Sequence, residues 1–251
     1  MKEELWTRRF IDLSERSYHN NQYTFTPFLG EAEVSDLFSV KKELLPSGFS
    51  MDGGYPQASR MMVRFGTEDE LGYEEEFPIQ CLRIVPLLKK FADDLTHRDF
   101  LGAIMNLSIE RGEIGDIVVV ENEAFLFCTQ KMAPFICEQR TKVKHTAVRC
   151  EISVEIPKES LSRTEKLELL AASERIDIFL AKACHLSRSA CLLLFQTKKI
   201  FVNGRLMENN SYQMKEGDTI SARGYGKFCY RGISGLTKKG NRVIQYEKYT
   251  G

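Results

Sequence analysis

The chain has 251 residues, 43% hydrophobic and 28% charged, enough to bury a real core and to divide into two or three domains. No stretch approaches eighteen consecutive apolar residues, and the opening MKEELWTRRF has acidic residues where a signal peptide needs a basic patch and an apolar run. A membrane span is therefore not expected, and a cytoplasmic location is. The net charge of zero hides an asymmetry: from Ser173 onward there are fourteen Lys and Arg against six Asp and Glu, a net +8, which leaves −8 on the remainder. A basic tail on an acidic body is the footprint of a polyanion-binding module, with a solvated basic face as the plainer alternative.

In chain order, ELWTRRFIDLSERSYHN predicts a helix, because Leu5, Trp6, Phe10 and Leu13 recur at helical spacing. FTPFLG breaks it. A second helix is expected from Glu31 to a stop at Pro46-Ser47-Gly48, followed by a glycine-rich turn and an alternating strand in GFSMDGGYPQASRMMVRFG, with Gly53-Gly54 supplying positive φ.

From Glu74 to Pro157 the pattern alternates strand and helix. FPIQCLRIVPL predicts a strand, and DFLGAIMNL (Asp99 to Leu107) a helix that Asp94, Thr96 or Asp99 could cap. IGDIVVVENEAFLFCT predicts a hairpin with Glu121-Asn122-Glu123 at its tip, KMAPFICEQRTKV another helix, and VRCEISVEIP a strand ended by Pro157. The expected outcome is a small α+β sandwich of the kind many RNA-binding modules use, although the aromatic RNP signature is absent. Lys158 to Ala172 (KESLSRTEKLELLAA) is expected to be a linker that becomes helical.

Enzyme signatures fail one by one. His97-Arg98-Asp99 has the letters of a kinase catalytic loop, but the fifth residue after the aspartate is Ile104 rather than asparagine, and the glycine-rich loop, strand lysine and DFG ligand are missing. No G-x-S-x-G elbow, H-E-x-x-H helix or Walker loop occurs, and Gly224-Tyr225-Gly226 does not lead a strand into a Rossmann helix. Arg175-Ile176-Asp177 is like the catalytic aspartate motif of pseudouridine synthases, with no catalytic domain around it. The seven cysteines, Cys81, Cys128, Cys137, Cys150, Cys184, Cys191 and Cys229, include no C-x-x-C pair and no neighbouring histidine pair, so they are expected to be reduced core thiols with no metal. A non-enzyme with no cofactor and no small-molecule substrate is expected.

The basic tail is more informative. Ile176 to Ala183 predicts one helix, with Ile176, Phe179, Leu180 and Ala183 on one face. Ser187 is placed to cap a second helix from Arg188 to Phe195. IFV and RLM flank Asn203-Gly204, a strong type I′ hairpin signal; Glu216-Gly217-Asp218 then turns the chain into the returning strand TISARG. Taken together, Arg175, Asp177, Leu180, Leu186-Ser187-Arg188-Ser189, Val202-Asn203-Gly204, Ser211 and Gly217-Asp218 resemble the RNA-binding module named for ribosomal protein S-four, the alpha-L motif. That resemblance implies RNA contacts at Arg175, Ser187, Arg188, Ser189, Lys198 and Lys199, with Arg205, Arg223 and Lys227 extending the basic surface. Lys198 stands where the family usually ends the second helix with glycine, so a left-handed cap there would cost roughly 1 kcal/mol.

FTPFLGEAEV, GGYPQASR, HRDFLGAIMNLSIERGEIGDI, ARGYGKF and TKKGNRV resemble the YlmH family of bacterial proteins over nearly the whole chain. The resemblance implies an α+β, multi-domain architecture: an N-terminal region of α and β elements (1–73), a central RRM-like α+β sandwich (74–157), a linker (158–172) and an S-four-type RNA-binding domain (173–251). It also implies a translation factor that binds rRNA and tRNA on the large ribosomal subunit in quality control of stalled nascent chains, with His97, Arg98 and Arg111 split between RNA contact and structural pairing. An RNA-modifying enzyme or its accessory subunit, and a division-associated interaction protein, are the alternatives.

Overall fold

The computed structural model describes residues 2–44, 48–139, 141–153, 164–238 and 240–249. The chain forms two compact units, Met1–Ser162 and Arg163–Gly251.

The first unit opens with helix α1 (Lys2–Asn20), then strand β1 (Thr24–Phe25), helix α2 (Glu31–Ser39), strands β2 (Phe49–Asp52) and β3 (Met62–Phe65), and a short helix α3 (Glu68–Leu71). The three strands make an antiparallel sheet in the order β1-β3-β2. The expected apolar stripe of α1 is inward only in part: Phe10 and Leu13 pack with Leu29, Val34, Leu37, Val63 and Phe65, while Leu5 is 68% exposed. The expected stop of α2 falls on Pro46 and Ser47, which lie outside the described residues; the helix itself ends at Ser39. Of the two glycines expected at positive φ, Gly54 adopts it (+89°) and Gly53 does not. Gly53 is constrained by space instead, since a Cβ there would lie 2.2 Å from that of Ala58.

Strand β4 (Ile79–Pro86), helix α4 (His97–Met105), strands β5 (Ile114–Val120) and β6 (Glu123–Thr129), helix α5 (Ala133–Gln139), and strands β7 (Lys142–Val143) and β8 (Thr146–Ser153) follow. The sheet order β5-β6-β4-β8-β7, antiparallel throughout, with a helix after the first and third long strands, is the split β-α-β arrangement of ferredoxin-like and RNA-recognition folds. Residues of β4 and β6 alternate between the two faces of the sheet. Leu82, Ile84, Ala124, Leu126 and Cys128 face a core shared with Phe100 and Ile104 of α4 and Ile136 of α5. The β5–β6 turn consists of Glu121 and Asn122, both at positive φ (48° and 66°). Glu123, expected at the tip, belongs to the strand and pairs with Val120. The TKV end of the expected third helix becomes β7. Pro157 lies outside the described residues.

The division expected at residue 73/74 does not separate two units. The reason is a set of bonds between the N-terminal segment and the central sheet, described below.

The second unit comprises strand β9 (Thr164–Ala171), helices α6 (Ile176–Ala183) and α7 (Arg188–Gln196), and strands β10 (Ile200–Val202), β11 (Arg205–Leu206), β12 (Thr219–Ala222), β13 (Gly226–Leu236) and β14 (Arg242–Tyr249). They form a sheet in the order β11-β10-β12-β13-β14-β9. The expected helices, hairpin and returning strand form at the expected residues. The helices meet at 117°, and Asn203-Gly204 has φ of 51° and 75°, as a type I′ turn requires. The expected helical linker is a correction. Residues 164–171 are a strand paired with β14 along its whole length, because Leu167, Leu169 and Ala171 alternate inward against solvent-facing Lys166, Glu168 and Leu170. The earlier linker residues 158–163 lie outside the described residues. Phe179, Phe228 and Tyr246 pack edge to face between helices and sheet, with centroids 5.2 to 6.1 Å apart.

Candidate RNA-binding surfaces

In the central domain, the face of the sheet opposite the helices is where RNA-recognition modules stack bases on aromatic side chains. Here Phe125 and Phe127 lie on that face, and both are buried. Tyr55 stacks on Phe127 at 4.8 Å and 20°, in the place a base would take. The rest of the face carries ions: Glu123 accepts from Arg83 at 2.6 Å and Lys89 at 2.6 Å, and Arg83 also reaches Glu151 at 3.6 Å. The surface that defines the fold's usual nucleotide platform is therefore closed by the protein's own residues.

Tyr55 is held by Asp116 of β5, whose Oδ2 accepts from the Tyr55 hydroxyl at 3.0 Å and from the Ser59 N–H at 2.5 Å. Arg60 reaches across the same seam. It donates to the carbonyls of Phe28 (2.8 Å), Arg111 (3.1 Å) and Ile114 (2.9 Å). Arg111 donates to Ile114 at 2.5 Å and Gly115 at 3.2 Å, and the Phe28 N–H donates to the Gly112 carbonyl at 2.8 Å. The motifs FTPF, GGYPQASR and RGEIGD thus converge to fasten the N-terminal segment to the central sheet. Burial, with Arg60 alongside, holds the Arg111 pKa down at about 10.

The His97-Arg98-Asp99 run is the first turn of α4. Asp99 is its N3 residue: Oδ2 accepts from the Thr96 N–H at 2.8 Å and the Thr96 hydroxyl at 2.6 Å, and Lys144 pairs with it at 2.8 Å. The hydrogen bonds from Lys144 and Thr96 lower its carboxyl pKa to about 2. His97 sits beside the Arg111–Asp116 seam; desolvation lowers its pKa, while Asp116 opposes this and Arg111 adds to it. Of the three central residues expected near RNA, Arg111 has carbonyl partners, and His97 and Arg98 are exposed. Sequence reasoning did not single out Arg60, Tyr55 or Asp116, although GGYPQASR and GEIGD contain them.

In the second unit the expected contacts fall into separate groups. Arg175 is partly exposed and already paired. Its Nε and Nη2 donate to the two carboxylate oxygens of Asp177 at 3.0 and 2.8 Å, and Asp177 is buried, so this fork neutralises an internal charge. Ser187 caps α7 by accepting the Ala190 N–H at 3.2 Å, and its hydroxyl lies 3.1 Å from that of Ser189; with Arg188 all three are exposed at the positive end of the helix dipole. About 13 Å further on, at the other end of this nine-residue helix, Lys198 takes the left-handed conformation (φ 53°). Its N–H bonds to the Phe195 carbonyl at 3.0 Å, and the Lys199 N–H to that of Leu194 at 2.9 Å, a Schellman ending built on lysine.

Arg223 joins this second group, because its N–H donates to the Lys199 carbonyl at 3.0 Å and its guanidinium lies 4.9 Å from the Phe201 ring. Lys227, one strand further across, lies 5.6 Å from the Tyr249 ring. Arg205 is placed apart, beyond the turn, opposite Val202. That turn is fixed by buried Asp218, which accepts from Asn203 Nδ2 (2.8 Å), the Tyr212 hydroxyl (3.0 Å) and the Lys215 N–H (2.8 Å). Among the described residues no cluster of His, Cys, Asp or Glu is arranged to hold a metal, and no single helix is long and apolar enough to cross a membrane.

A split β-α-β domain followed by a unit with exposed cations at both ends of one short helix has the features of RNA-binding proteins, and comparisons with known proteins place it in that class. Residues 73–156 match the family model described as "Putative RNA-binding domain in YlmH". That match lies in the central domain, and a second likeness runs along the chain. It is 29% identical over 259 aligned positions to the ribosome-associated protein quality control protein P2 of Bacillus subtilis, covering 96% of this chain and 95% of that one. It is also similar to the solved structure of the cell division protein YlmH from Streptococcus pneumoniae, at a TM-score of 0.48 and 22% identity over 61% of this chain and 92% of that one.

Proposed function

We propose that the protein is a non-enzymatic RNA-binding factor of translation, which docks on rRNA and tRNA at the large ribosomal subunit during quality control of stalled nascent chains. A cytoplasmic location goes with this role. The name of the Bacillus relative, aligned almost end to end, supports the ribosomal part of the reading. The observation that carries the RNA part is the second unit's surface: a net +8 tail whose Ser187, Arg188 and Ser189 stand exposed at one end of α7 and Lys198 and Lys199 at the other. The two short helices followed by an Asn-Gly hairpin support reading the unit as an S-four-type module. Hydroxyls and a guanidinium at a helix N-terminus suit phosphate, and a second cationic group about 13 Å away can engage further phosphates of the same folded RNA. The −8 charge on the rest of the chain limits indiscriminate adhesion.

The test is binding to purified ribosomal particles across a salt series. With several phosphate contacts, affinity should fall on the order of 10³-fold between 50 and 200 mM salt. A flat response contradicts electrostatic docking. A protein that stays off ribosomes even at low salt would be the division-associated interaction protein instead, and loss of a single RNA modification in a deletion strain would identify a modifying enzyme or its subunit.

A further inference from the structure

The sequence offers Cys184 and Cys191 as its nearest cysteine pair, but folding brings a different pair together. Cys137, on α5, and Cys150, on β8, have their sulfur atoms 3.0 Å apart, thirteen residues removed along the chain. This is about 1 Å more than a disulfide bond. Both side chains are half-buried where α5 packs on the central sheet, beside Ile136 and Val148, and neither is bonded to another group in a disulfide. Buried Cys128 stands close enough to feel their charge, yet its thiol, pushed up to about 12 by burial, stays protonated.

We infer that Cys137 and Cys150 are a reversible oxidation site of the central domain, closing to an intramolecular disulfide with hydrogen peroxide as the oxidant. The chemistry balances in two steps. The Cys137 thiolate attacks one peroxide oxygen, breaking the O–O bond; the sulfur becomes a sulfenic acid, and hydroxide leaves as water with the proton the thiol gave up. The Cys150 sulfur then displaces the new hydroxyl, which departs as a second water with the Cys150 proton. In total two thiols and one peroxide give one disulfide and two waters, with two electrons passing from sulfur to oxygen. The order of events follows from the surroundings, because burial and the bond to Cys137 raise the Cys150 thiol pKa and keep it protonated until its partner is oxidised. The bond would tie α5 to β8 and enclose the β7–β8 hairpin.

The test uses the full-length, fully reduced protein. It is treated with hydrogen peroxide under native conditions, alkylated, digested and mapped at all seven cysteines. The expected product joins the Cys137 and Cys150 peptides with a loss of two hydrogens, reverts with dithiothreitol, and raises the melting midpoint of the treated protein by about 5–10 °C. Cys137→Ser should abolish the link, and so should Cys150→Ser. Recovery of both cysteines as free thiols, stable over-oxidation of Cys137 without a link, or linkage to any other cysteine would overturn the proposal. The mapping of the unmutated protein decides the matter even if a variant fails to fold.

Discussion

Arg60 and Arg111 in the first unit and Arg188 in the second are the same side chain put to opposite uses. The two in the first unit are half-buried and aim their donors at main-chain carbonyls: Arg60 reaches Phe28, Arg111 and Ile114 and is a strut between the N-terminal segment and the central sheet, while Arg111 braces its own corner through Ile114 and Gly115. Arg188 stands exposed on the first turn of α7. The comparison shows that arginine content does not locate an RNA surface; what matters is whether the fork is already occupied. By that measure the first unit, despite its RNA-recognition topology, has committed Arg60, Arg111, Tyr55 and Phe127 to its own cohesion. The second has committed Arg175 to Asp177, Arg231 to Glu247 and Arg242 to Glu174 while presenting Arg188 outward.

The comparison is broken most directly at Arg60. Arg60→Ala leaves three carbonyls at the seam without their donor and should cost about 3 kcal/mol of stability by denaturant titration. RNA affinity of the protein that remains folded should not change. A loss below 1 kcal/mol would mean that water replaces the guanidinium and that the seam is not what joins the segment to the sheet.

Arg188→Ala is the mirror image. Stability should stay within about 0.5 kcal/mol, as for an exposed position, whereas binding to ribosomal particles at low salt should weaken by about 1–3 kcal/mol. Unchanged affinity in the folded variant would remove Arg188 from the contact.

How much of this was legible in the sequence follows the range of the interactions. The helix–helix–hairpin of the second unit rests on local chemistry, namely a serine cap, an Asn-Gly turn and a 3.6-residue stripe, and its elements form at the expected residues. β9 was hidden because Leu170 breaks the alternation on the solvent side and the charged residues around it read as helix. The central domain's strands and helices could be read from their periodicity, but the closing of its open face could not. Tyr55 and Phe127 are seventy-two positions apart, and only the fold reveals that one covers the other. Likewise Arg111 gave no local sign of its carbonyl partners, since those carbonyls turn toward it only through the shape of the RGEIG corner. Cys137 and Cys150 meet for the same reason: a helix and a strand bring together what sequence spacing keeps apart.

The smallest effect is expected at Lys198, where fold and binding pull in opposite directions. A non-glycine residue at φ 53° carries roughly 1 kcal/mol of backbone strain, and the Schellman bonds at Lys198 and Lys199 hold the chain in that conformation regardless of the side chain. Lys198→Gly relieves the strain, but glycine also gives the unfolded chain more freedom, so the net gain should be about 0.5–1 kcal/mol or less. If lysine is there for its charge, the same substitution should weaken ribosome binding and make its salt dependence shallower by about one phosphate contact. A variant that is more stable and binds as well as before would leave the strain at the end of α7 without a functional reason; one that is more stable and binds less tightly would show stability given up for a cation at the RNA face.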